Sequence, residues 1–294
     1  MRTLVFVHGR SQQGRRDEQL KLQWLDALQE GFRRADLELK VLEDSVRFPF
    51  YGDALRDLSA DPEAVSAQVV IQSAGDADAA EKAFLGAVVE DAVATYNISD
   101  EDIRAHMPDG ELVEMGPQNW PWVLAALRVI EKVPGAGAAT LALATRDVYD
   151  YLNSPGIQTR IEQGVLEAFA DAEECVVVGH SLGSVIAYNV LQRRAAAEKW
   201  TVPSLITVGS PLGVRPVVEA LAPVSRPEGV IDWFNAYDEH DVVALHPLDP
   251  GHFPVQPEVE NYGGVDNGTP NQHGISGYLS DRVVAKRIHD ALLG

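Results

Sequence analysis

Short apolar runs alternate along the chain with longer stretches in which apolar residues recur at helical spacing. The runs predict strands at Thr3–Val7, Leu37–Leu42, Cys175–Val178, Ser204–Val208 and Val230–Ala236, since brief, uninterrupted apolar segments bounded by turn formers suit strands covered on both faces. Helical spacing predicts helices near Asp17–Arg34, Gly156–Ala170, Leu182–Glu198, Val214–Leu221 and Ser276–Leu293. This alternation implies an α/β fold, with a mostly parallel sheet between helical layers. It breaks once, from about Val46 to Ser154. That stretch is too long for a loop and holds helix-like pieces at Pro62–Ile71, Ala77–Ala94 and Trp122–Val133, with Pro/Gly joints at Pro108-Asp109-Gly110 and Pro134-Gly135-Ala136-Gly137. It reads as a helical cap, residues 46–154, inserted into a single domain of residues 1–294.

Composition narrows the function classes. Hydrophobic residues at 46% and charged residues at 23% describe an ordinary globular chain of 294 residues. A net charge of −20 opposes attraction to nucleic acid or an anionic membrane surface. The N-terminal apolar core of four residues is a strand and not a signal peptide, and the longest apolar candidate, Val133 to Ala144, is far short of the roughly 20 residues a bilayer requires. The lone Cys175 cannot form an internal disulfide, which fits a cytoplasmic setting.

The chemistry concentrates where the run Cys175-Val176-Val177-Val178 enters Gly179-His180-Ser181-Leu182-Gly183 and then a helix-forming segment. Composition alone would produce Gly-x-Ser-x-Gly in about one chain in ten of this size. The strand before it and the helix after it are what propose Ser181 as a nucleophile on a tight strand-to-helix turn. A serine hydroxyl needs a base, and the base an orienting carboxylate. Asp238 and Asp241 both follow the strand Val230–Ala236 at the sheet edge from which Ser181 emerges; Asp241, farther from the strand and leading into an apolar turn, is preferred. Five histidines follow Ser181: His240, His246, His252, His273 and His289. His273 is favoured, being in the turn-rich loop Asn267–Gly274 just before the final helix, with His246 and His252 as alternatives. Oxyanion stabilisation needs two N–H donors, and the main chains of Leu182 and of Arg10, after Val7-His8-Gly9, supply them, with Ser11 next in line.

Taken together, His8-Gly9, Gly179-His180-Ser181-Leu182-Gly183, Gly209-Ser210-Pro211-Leu212-Gly213, the stretch Asn235 to Val243 and His273-Gly274 resemble the lipase- and esterase-type members of the α/β-hydrolase superfamily. The resemblance implies a serine hydrolase working through an acyl-enzyme, with Ser181, Asp241 and His273 as its triad. It departs from the family in placing the His-Gly strand first, which implies a reduced sheet of about six strands. The expectation is a carboxylic-ester hydrolase for a small-molecule acyl substrate. The same triad serves amidases, peptidases and thioesterases, and the fold could serve as a binding module instead. Trp120 to Leu127 and Gly137 to Ala144 suit an acyl pocket or lid, and equally a packed core or a surface for self-association. No cofactor is implied. Arg15-Arg16 stand where a phosphate-binding loop needs Lys and Ser/Thr, and no metal-ligand spacing occurs.

Overall fold

The computed structural model describes residues 2–9, 17–39, 41, 45–49, 51, 78–107, 115–133, 137–170, 172 and 174–294. In chain order the elements are β1 (Thr3–Val7), α1 (Asp17–Arg34), β2 (Val46–Arg47), α2 (Ala79–Thr95), α3 (Asp100–Arg104), α4 (Trp120–Ile130), α5 (Ala138–Asn153), α6 (Pro155–Phe169), β3 (Glu174–His180), α7 (Leu182–Glu198), β4 (Thr201–Val208), α8 (Arg215–Leu221), β5 (Val230–Ala236), β6 (Glu260–Tyr262), α9 (Ile275–Leu279) and α10 (Arg282–Leu293). The six strands form one all-parallel sheet in the order β2-β1-β3-β4-β5-β6.

Alternation along the strands divides the core into two layers. Val5, Val7, Cys175, Val177, Leu205 and Trp233 face α7 and the inserted helices, whereas Leu4, Phe6, Val176, Val178, Ile206 and Phe234 face α1, α9 and α10. Both layers are closed to water, which is why the strands read as continuous apolar runs. One irregularity falls in β4, where Glu174 pairs with Thr201 but Val176 with Ser204. The extra residue is accommodated around Pro203, which has no N–H to give to a ladder.

Several predicted elements need correction. Leu37–Leu39 carries no regular secondary structure, and Leu42 lies outside the described residues. Leu37, Leu39 and Val41 instead pack against the layer containing α1, so burial rather than strand pairing accounts for their alternation. The strand beside β1 is the two-residue β2, with Leu4 opposite Val46 and Val5 opposite Arg47, so the insertion begins after β2 and not at Val46. The predicted last helix is two helices, because the Asp281 side chain accepts the N–H groups of Val283 and Val284 at 2.8 and 3.0 Å and starts α10 afresh. Pro62–Ile71 lies outside the described residues. Trp122, Val123, Ala125, Ala126, Leu127 and Ile130 of α4 are buried in the core, so this segment serves packing.

The chain leaves β1 toward β2 on one side and returns at β3 on the other. The strand order thus reverses between β1 and β3, and the crevice at their carboxyl ends is where open α/β sheets bind ligands. Val7 is in register with Gly179, which brings His8-Gly9 alongside His180-Ser181.

Candidate active site

Ser181 occupies the first position past β3 with φ +55° and ψ −131°, backbone that a residue bearing a Cβ rarely adopts. Surrounding bonds hold it there. Its N–H donates to Val208 O at 3.2 Å, and its carbonyl accepts the N–H and Oγ–H of Ser184 at 2.9 and 2.6 Å. Ser184 Oγ in turn accepts from Ser210 Oγ at 2.7 Å, and Ser210 Oγ accepts the Leu212 N–H at 3.2 Å. Glycine is required on the inner side of the turn. A Cβ on Gly183 would come within 2.0 Å of Val7 O, and one on Gly9 within 2.9 Å of Ser181 Cβ.

His273 Nε2 lies 2.9 Å from Ser181 Oγ, and His273 Nδ1 lies 2.7 Å from Asp241 Oδ2. A carboxylate only accepts, so Nδ1 carries the proton and Nε2 is left to accept the serine hydroxyl. Asp241 is 1% exposed, and its other oxygen accepts the Val243 N–H at 2.9 Å. Tyr278 Oη also donates to Asp241 Oδ2, at 2.6 Å. This arrangement can lift the proton from Ser181 while the buried carboxylate balances the imidazolium that forms.

Asp238 has a different task. Its Oδ2 accepts the Asn267 N–H at 2.8 Å and its Oδ1 accepts the His240 N–H at 2.8 Å, so it ties down the start of the His273 loop. The loop is braced further by Asn267 Nδ2 donating to Gly274 O at 2.9 Å and by Gly274 N–H donating to Thr269 Oγ1 at 2.9 Å. His246 and His252 lie elsewhere. Their rings stack at 4.2 Å and donate to Asp91 Oδ1 at 3.0 Å and Asp249 Oδ1 at 2.8 Å, clamping α2 to the segment after β5. His240 is an exposed side chain beside Asp238, and His289 packs edge-on to Phe32.

Leu182 is the first residue of α7, so its N–H has no partner carbonyl within the helix and points out at the helix start beside Ser181. Arg10 and Ser11 lie outside the described residues. The described part of that segment approaches Ser181 through Gly9, and His8 is stacked between Phe48 at 5.3 Å and Tyr51 at 4.1 Å.

No protein-family model, curated protein or solved structure matches this chain. Geometry therefore carries the functional reading.

Two further features were not singled out from sequence. His180 Nε2 donates to the His273 carbonyl at 2.8 Å, with its ring 4.8 Å from that of His273. Burial, and then the neighbouring His273, lower His180 from the ordinary 6.5 to about 3, and burial lowers His8 to about 4. Both rings stay neutral around the serine. Below pH 6.5 the unfolded chain binds two protons that the folded chain refuses, so their contribution to stability is complete above about 6.5 and falls as pH drops toward 4 and 3. Urea unfolding followed from pH 7 to about 5 should lose stability with a slope approaching two protons, and His180→Asn should cut that slope by one. A slope identical in the variant would mean that His180 titrates normally in the fold.

The second feature is a narrow apolar cleft of about 20 Å³, room for roughly one water, between the insertion and the sheet edge. Phe84 and Val88 of α2, Leu141, Ala144 and Val148 of α5, and Pro211, Val214, Val217 and Val243 line it. Pro211 follows Ser210, and Val243 is the residue whose N–H holds Asp241. Tyr96, the C-terminal cap of α2, is pushed up to about 12 by burial and by the Asp241 and Asp238 carboxylates. The insertion thus reaches the edge of the site.

Proposed function

We propose that the protein is a serine hydrolase of α/β-hydrolase type that cleaves carboxylic esters. The observation that carries this reading is the continuous chain from Ser181 Oγ through His273 to the buried Asp241, with contacts of 2.9 and 2.7 Å, at the point where the strand order reverses. In the proposed cycle His273 Nε2 takes the Ser181 proton as Oγ attacks the acyl carbon, then returns it to the departing alkoxide. Water enters by the same base and releases the acid. The Leu182 N–H supplies one oxyanion donor, and the Arg10 main chain is proposed as the other. The apolar surface that the inserted helices, Pro211 and Val243 present next to the site supports an apolar acyl group on a small-molecule substrate, with the inserted helices as a cap. Among the described residues no helix is long and apolar enough to cross a membrane.

A fluorophosphonate should label the protein once per chain, and p-nitrophenyl esters should turn over faster than the matching p-nitroanilides, with the preferred acyl length reporting the space under the cap. Absence of both labelling and turnover would overturn the reading in favour of a hydrolase-like fold used for binding. Preference for the anilide would make it an amidase.

A further inference from the structure

The triad leaves one feature of its own carboxylate unexplained. Asp241 Oδ2, the oxygen facing His273, is shared with Tyr278, whose hydroxyl donates to it at 2.6 Å and accepts the Asp238 N–H at 3.2 Å. Tyr278 stands on α9, five residues past His273, and is fully buried. The fold makes room for it. Gly209, with φ +55°, passes so close that a Cβ there would lie 2.9 Å from Tyr278 Cε2 and 3.1 Å from Asp241 Oδ2. A phenol in a dry site beside a carboxylate cannot ionise readily, and burial followed by the Asp241 charge holds Tyr278 well above 10. It is therefore a permanent donor.

We propose that Tyr278 is a positioning residue that sets the strength of the Asp241–His273 pair. This rests on the reading of Ser181, His273 and Asp241 as the reacting group. A second donor on the same oxygen withdraws charge from the bond to His273, and with the Val243 N–H on Oδ1 it fixes the plane of the carboxylate. The imidazolium formed during attack is thereby a stronger acid toward the leaving group than an undivided carboxylate would leave it. No proton moves to or from Tyr278 in this scheme.

The test replaces Tyr278 in two opposite directions in the full-length protein. Tyr278→Phe removes the donor, and 3-fluorotyrosine at 278 keeps size and hydroxyl while strengthening it. The His273 ring signal, assigned by its loss in His273→Gln, is followed by NMR against pH, and kcat/KM is followed on the same samples. Tyr278→Phe should move the His273 titration and the acid limb of kcat/KM up by about half a pH unit, a roughly threefold change in proton affinity, and lower kcat about tenfold. Fluorotyrosine should move both downward with an unchanged melting temperature. A His273 titration that stays put in both proteins, or moves the same way in both, would overturn the proposal and leave Tyr278 a packing residue. Opposite NMR shifts in a protein without ester turnover would uphold the coupling and reject the hydrolase reading instead.

Discussion

Ser181→Ala should abolish fluorophosphonate labelling and lower kcat on an activated ester by about three orders of magnitude or more, with the fold intact. The size of the loss follows from what remains. Without Oγ no acyl-enzyme can form, and His273 can only direct water at a substrate held by the Leu182 amide. Alanine should also be tolerated structurally. The bonds that hold the turn run through the main chain of residue 181, to Val208 O and from Ser184, and none of them needs the hydroxyl. Circular dichroism and urea melting should therefore match the parent while turnover collapses. Retention of more than about a tenth of the activity would place the nucleophile elsewhere.

Asp241→Asn should cost about four orders of magnitude in kcat at neutral pH. The amide can offer its N–H₂ to His273 Nδ1, which places the imidazole proton on Nε2, where it can no longer accept from Ser181. The Val243 N–H would still hold the remaining oxygen, whereas the Tyr278 hydroxyl loses the acceptor that the N–H₂ replaces and would have to turn and accept from it. Asp238→Asn provides the contrast. It weakens the tie to Asn267 N–H and lowers stability by about 1–3 kcal/mol, with a far smaller effect on kcat. The reverse ranking of the two variants would make Asp238 the orienting acid.

The central elements were legible because local pattern and tertiary environment agree there. Cys175 to Val178 is apolar without interruption and lies at the sheet centre, and the helix after Ser181 runs Leu182–Glu198 as its sequence predicts. The edges were not. β2 has two residues and β6 three, too few for any periodicity, and the alternation of Leu37, Leu39 and Val41 is met by packing against the α1 layer. At the site, residue types and chain order pointed to Ser181 and His273, and the greater reach past β5 favoured Asp241 over Asp238, the former being the carboxylate that stands against His273. Tyr278 could not be read at all. Its contact with Asp241 joins positions 37 residues apart across a glycine with positive φ, and neither residue carries a local signature of the other.

The place of β1 between β2 and β3 also bears on how the chain is made. Thr3 finds its sheet partner in Cys175, and Arg2 finds the Glu174 carboxylate, only 172 residues later. At a synthesis rate of about 5–20 residues per second, the first strand waits some ten to thirty seconds with one edge unpaired. Val5 and Val7 wait as long for the helix Leu182–Glu198 that covers their face. A nascent chain in that interval presents an apolar strand able to pair with its neighbours on a polysome, so yield in a cell should depend on holdase chaperones and on slow, cool expression more than on the stability of the finished fold.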